Sequence, residues 1–189
     1  QRFNNALNPT LTKVGGGVLT LDAAQDGDAS IGQIIVGGGT LRYAGAGKAF
    51  VGTALQTTSL VANTNGTLQL DNAGTNVANR LGLNAAGNLY VQGGKFVLGG
   101  NAGAATSEAL ANLNVQNGGG RIELAPDAAQ ALTLAVTTLS SANGHGTLVV
   151  GGLTGAASAA GVANLTIATV NLISGQGTGA NGTTTMGLR

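Results

Sequence analysis

The sequence predicts an all-β protein, a right-handed parallel β-helix (β-solenoid) with about 26 residues per coil, a period inside the range of repeat solenoids. Three observations predict it. A five-residue motif, Gly-x-apolar-x-apolar, recurs along the chain. Within each copy large apolar residues alternate with mostly polar ones, the period of a strand with one buried face. The copies follow one another too closely for a propeller blade, which takes roughly 40–50 residues and four strands.

The motif runs in order as Gly17-Val18-Leu19-Thr20-Leu21, Gly39-Thr40-Leu41-Arg42-Tyr43, Gly66-Thr67-Leu68-Gln69-Leu70, Gly94-Lys95-Phe96-Val97-Leu98, Gly120-Arg121-Ile122-Glu123-Leu124 and Gly146-Thr147-Leu148-Val149-Val150. From each motif glycine to the next, the residue number rises by 22, 27, 28, 26 and 26. The inward pairs are Leu19/Leu21, Leu41/Tyr43, Leu68/Leu70, Phe96/Leu98, Ile122/Leu124 and Leu148/Val150, all large and apolar. No coil buries such a face alone; stacked neighbours bury it as one ladder. The glycine before each strand suits a sharp corner that needs a positive φ or no Cβ.

Second strands are expected at 31–36, 60–62, 113–115, 132–138 and 162–173. Residues 106–111 read in two ways. Ser107 is a candidate N-cap for a helix. The alignment of this stretch with Ser30-Ile31-Gly32-Gln33 favours a corner followed by strand. Residues 127–130 and 155–163 read as loops or a single turn, and the Gly/Thr-rich 175–185 as a loose loop or linker.

A longer period lies over the shorter one. Gly17, Gly39 and Gly66 map to Gly94, Gly120 and Gly146, offsets of 77, 81 and 80. Residues 31–36 resemble 110–115, Thr57-Thr58 stands before Gly66 as Thr137-Thr138 stands before Gly146, and Arg2-Phe3 echoes Arg80-Leu81. The chain is therefore expected to be one solenoid domain over 1–189. Super-repeats cover about 1–78 and 79–158, and 159–189 form a partial unit and tail.

Composition narrows the function classes. The 189 residues include 34 Gly, only 8% are charged and 3% aromatic, and the net charge is +1. A net charge so small, with no basic block, leaves no electrostatic footprint for nucleic acid. With no Cys there are no disulfides and no thiolate metal sites or nucleophiles. No run of 18 apolar residues exists, so the chain is not expected to span a membrane by a helix. No signal peptide is visible and the chain lacks an initiator Met, so it is expected to be a processed product or a segment of something larger.

Residues able to carry chemistry are few. The one histidine, His145, lies in a Gly-bracketed turn and reads as a surface residue rather than a triad member. Asp22, Asp26 and Asp28 offer oxygen ligands for Ca²⁺ but lack the EF-hand pattern and the nonapeptides of calcium-binding β-rolls, and read as solvated loop carboxylates. Asp71, Glu108, Glu123 and Asp127 are scattered in sequence, against the converging carboxylates of a glycosidase. The Gly-Gly-Gly tracts lack a following Lys-Ser/Thr and read as corners, not phosphate loops. Charges interrupt the outward motif rows, which argues against an ice-binding Thr ladder. Lys95 and Arg121 are expected as like-charged neighbours on successive coils, with Glu123 diagonal to Lys95 and able to offset them. No catalytic, cofactor-binding or metal-ligating residue is assigned, and no enzyme activity or cofactor is expected.

Leu11-Thr12-Lys13-Val14-Gly15-Gly16-Gly17-Val18-Leu19-Thr20-Leu21, followed by Ile35-Val36-Gly37-Gly38-Gly39-Thr40-Leu41, resembles the autotransporter-associated β-strand repeat. The stretch Ala78-Asn79-Arg80-Leu81, Gly93-Gly94-Lys95-Phe96-Val97-Leu98 and Ser107-Glu108 resembles its longer tandem version, found in very large bacterial surface proteins. The resemblance covers about residues 1–150 and implies a secreted passenger, a rigid stalk or fibre outside the cell. The chain shows no carboxy-terminal barrel with an aromatic belt, so the resemblance makes it a passenger segment that does not translocate itself.

The expected function is structural: a segment of an extracellular fibre on the bacterial cell surface, self-associating head to tail through tandem units or filaments. The alternative is an adhesin module that binds a host or surface glycan or protein.

Overall fold

In a computed structural model the described residues are 9–23, 31–50, 58–141, 146–153 and 157–172. His145, Asp26, Asp28, Arg2-Phe3 and the 175–185 tail lie outside them. The described residues form strands and no helix. The strands are β1 Thr10–Lys13, β2 Val18–Leu21, β3 Gln33–Val36, β4 Gly39–Tyr43, β5 Ser59–Asn63, β6 Gly66–Leu70 and β7 Asn88–Gln92. They continue as β8 Lys95–Gly99, β9 Thr106–Val115, β10 Gly120–Ala125, β11 Leu132–Ser141, β12 Leu148–Gly151 and β13 Ala163–Leu172. Odd-numbered strands stack into one parallel sheet of seven and even-numbered strands into a second of six, a β-solenoid.

The motif strands stack as their spacing predicts. Thr40 lies on Val18, Thr67 on Thr40, Lys95 on Thr67 and Arg121 on Lys95, the same increments that separate the motif glycines. Leu41, Tyr43, Leu68, Leu70, Phe96, Leu98, Ile122 and Leu124 are buried. Leu21, Leu148 and Val150 pack against this core only partly, and Leu19 is 37% exposed. These four lie on the outermost rungs, β2 and β12, each with one strand neighbour instead of two.

The last step departs from the glycine alignment. Gly120 faces Leu148, not Gly146, and Ile122 faces Val150, not Leu148. The cause is a longer interval between register partners: Ser141 lies on Val115 and Leu148 on Gly120, which leaves four positions between them on one coil and six on the next. A slide of two preserves the pleat, so Leu148 and Val150 still point inward. Separately, Thr138 lies in the column of Ser59 rather than Thr58, an offset of one residue.

The glycine before the strand is required by close approach. A Cβ on Gly66 would collide with the carbonyl oxygen of Val36 in the coil before. Gly39, with φ +63°, combines that kind of collision with a left-handed backbone.

Residues 106–115 are strand throughout, which excludes the helix starting near Ser107. β9 turns a corner within its length. Its buried residues are Thr106, Glu108 and Leu110 and then Leu113 and Val115, a break in alternation. β11 breaks likewise, between Val136 and Leu139. The first halves of β9, β11 and β13 thus form a third flank. Earlier coils extend it with short segments: Ala49 N–H donates to Arg80 O (2.9 Å), Asn79 N–H to Ser107 O (3.2 Å) and Ala111 N–H to Leu83 O (2.7 Å). Phe50, Leu81 and Leu83 are buried there.

Candidate functional site

The described residues present two dissimilar lateral faces and one buried polar network. Outward residues of the even-numbered sheet carry Arg42, Lys95, Arg121 and Glu123. Lys95 and Arg121 are register neighbours, as expected. Glu123 accepts from Arg121 Nε (2.8 Å) and lies 3.9 Å from Lys95 Nζ, so one carboxylate serves both cations. Arg42 donates to Thr20 Oγ1 and lies 3.8 Å from Asp71. These pairs are well exposed, where an ion pair is worth at most about 1 kcal/mol.

The odd-numbered sheet shows the opposite surface. Its outward columns read Thr10, Gln33, Ser59, Asn88, Asn112, Thr138, Thr169 and Thr12, Ile35, Val61, Tyr90, Asn114, Ser140, Asn171, with no charge in either. Gln33 Nε2 donates to Ser59 Oγ (3.1 Å), Asn114 Nδ2 to Asn88 Oδ1 (3.1 Å) and Asn112 Nδ2 to Gly87 O (2.9 Å). Tyr90 stands half-buried among them. Phe50 is 8% exposed and belongs to the core with Tyr43 and Phe96.

The buried network centres on Arg80, whose side chain is fully inaccessible. Burying a guanidinium is costly unless all its donors are met. Here Nη1 donates to the carbonyls of Ala44, Gly45 and Gly47 (3.1, 3.1 and 2.7 Å), Nη2 to Thr75 O (2.8 Å) and Asn72 Oδ1 (2.9 Å), and Nε to Asn72 Oδ1 (3.1 Å). Asn72 is itself buried and spans to the following coil, where its Nδ2 donates to Gly99 O (3.0 Å). Glu108, 1% exposed, accepts from the backbone N–H groups of Arg80 (2.7 Å) and Leu81 (3.0 Å). Burial pushes the Glu108 carboxyl up to about 7, against the opposing pull of those two N–H groups and of the Arg80 and Lys48 charges. Burial also lowers the Arg80 guanidinium below its ordinary value, opposed by the charges of Glu108 and then Asp71.

The carboxylates scattered in sequence meet basic residues at separate places: Glu108 takes the Arg80 backbone N–H, and Asp71 lies beside Arg42. Among the described residues no three of His, Cys, Asp and Glu form a group able to hold a metal ion, and Asp22 stands exposed. Lys13, at the end of β1, is nearly buried. Its Nζ donates to the carbonyls of Val14 (2.9 Å), Gly15 (2.8 Å) and Gly38 (3.0 Å), tying the first two triple-glycine corners together. In comparisons with known families, curated proteins and solved structures, nothing matches this chain.

Proposed function

We propose that the chain is a structural segment of an extracellular bacterial β-solenoid fibre or stalk that associates head to tail. The observation that carries the reading is the stack itself: two parallel sheets share one apolar interior continuous from rung to rung. The ladder's inward residues are less covered at its two outer rungs, where Leu19 is 37% exposed toward one end and Leu148 and Val150 are only partly buried toward the other. A contact of top on bottom is heterologous and propagates rather than closing into a dimer. Net charge near zero puts little long-range repulsion in its way. Negative-stain electron microscopy and light scattering of the 189-residue chain test this; filaments lengthening with concentration are expected. Strict monomers at high concentration, with no tandem units in the parent sequence, would overturn it.

The uncharged outer face of the odd-numbered sheet favours a second reading, an adhesin module. Its amide and hydroxyl ladder around Tyr90 suits a neutral glycan or a protein surface. A glycan array separates the two: binding abolished by Tyr90→Ala in a strictly monomeric chain supports the adhesin.

A further inference from the structure

The apolar ladder alone does not determine how far one strand slides along the next. Inward residues repeat at every second position, so a slide of two returns each side chain to its own face. The β10–β12 pair shows such an offset from the glycine alignment. β7 and β9 carry the same degeneracy: Leu89 lies on Leu113 and Val91 on Val115, and after a slide Leu89 would meet Val115, still apolar on apolar.

We propose that Asn72, Arg80 and Glu108 form a register pin that selects the native sliding position of β9 against the 76–83 segment. The base of the pin is anchored in the coil before, because Arg80 is caged by the carbonyls of Ala44, Gly45 and Gly47. Its head engages the coil after, where Glu108 takes the N–H groups of Arg80 and Leu81. Glu108 occupies a column otherwise held by Leu134 and Leu165. A slide of two in one direction would present Leu110 to those N–H groups, with no acceptor, and would leave a buried carboxylate against apolar neighbours. Unpaired buried polar groups of this kind are what penalise a wrong register while the apolar contacts remain indifferent. A single buried polar residue fixes coiled-coil register in the same manner.

The chain contains no cysteine, so paired cysteines report the register directly. Asn88→Cys with Asn112→Cys joins native neighbours, whereas Asn88→Cys with Asn114→Cys joins residues brought opposite only by that slide of two. A direct pair lies about 4.8 Å apart and a diagonal one about 8 Å, beyond the ~7 Å limit for a disulfide. In the double variant Arg80→Met, Glu108→Leu the ratio of slid to native crosslink is expected to rise at least tenfold. In Glu108→Gln, which keeps the volume and one acceptor oxygen, it is expected to rise severalfold. Val136→Ala, on the same flank but in register with Leu110 rather than with a member of the pin, should lower the melting temperature and leave the ratio unchanged. If the pinless variants melt earlier but crosslink only natively, as Val136→Ala does, the pin is a plain stabiliser and the proposal falls. Should the double variant fail to fold, an unchanged ratio in Glu108→Gln overturns it equally.

Discussion

Stability should fall as pH rises from about 4.5 to about 7, the reverse of ordinary acid denaturation, and Glu108 is the reason. Its carboxyl titrates near 7 when folded and near 4.5 when free of the fold. Between those values the folded chain holds a proton that the unfolded chain has released. Unfolding is therefore linked to proton loss, and each pH unit in the window costs about 1.4 kcal/mol of stability. The contribution is fully present below about pH 4.5, declines through the window and is gone above the folded value, a total of about 3 kcal/mol. Burial, the dominant cause, is nearly complete, so solvent screening takes little from this figure. For a chain of this size 1 kcal/mol moves the melting temperature by roughly 2–4 °C, so the expected fall is roughly 6–12 °C. Thermal melts followed by far-UV circular dichroism at constant ionic strength, from pH 4.5 to 8, measure it. Glu108→Gln removes the titration, and the difference between the two curves isolates this group from the other carboxylates. Parallel curves for the two proteins, or a native curve that climbs over Glu108→Gln with pH, would refute the reasoning.

Leu68→Asp, at a fully buried inward position, should cost at least about 3 kcal/mol, while Thr67→Asp, outward and beside Lys95, should stay within about 0.5 kcal/mol. Equal losses in urea denaturation would reverse the strand phase. Gly66→Ala should destabilise by about 1–3 kcal/mol because its Cβ meets the Val36 carbonyl, whereas Gly74→Ala, with open space around it, should be near neutral in the same assay. His145→Ala and the pair Asp26→Asn, Asp28→Asn should leave the melting temperature within about 1 °C, and so should EDTA; a chelator-dependent drop of several degrees would reveal a bound ion, since a ligand of the folded state stabilises by mass action.

The even-numbered sheet was legible because each strand carries both of its signals locally, a glycine at the corner and two large apolar residues at alternate positions. β1 and β7 escaped the reading. Thr10–Lys13 offers one large apolar residue, and Asn88–Gln92 places Tyr90 outward between Leu89 and Val91, which masks the alternation. The clue to β7 was positional: it leads into Gly93-Gly94 as Gln33–Val36 leads into Gly37-Gly38-Gly39. The register of β12 failed for a complementary reason. The motif gives the phase of a strand, and phase survives a slide of two; the interval between register partners decides the rest, and it carries no local pattern. The Arg80 network was not readable at all from side-chain chemistry. Most of its acceptors are backbone carbonyls 33 to 36 residues earlier, at Ala44, Gly45 and Gly47, and a carbonyl has no letter in the sequence. What did show was the echo of Arg2-Phe3 in Arg80-Leu81.

The parallel stacking has a consequence under tension. Strands lie across the stack, so a pull along it opens hydrogen bonds rung by rung instead of shearing a whole sheet at once. Each yielded coil frees the chain between two register partners, at the shortest from Val18 to Thr40 and at the longest from Leu132 to Ala163. At about 3.4 Å per extended residue, less the ~4.8 Å rise it replaces, one such coil lengthens the chain by roughly 70–100 Å. A sawtooth of such steps turns the stack into an extensible tether that sheds load one coil at a time. The Arg80 network, bridging three successive coils, is where that peeling should stall.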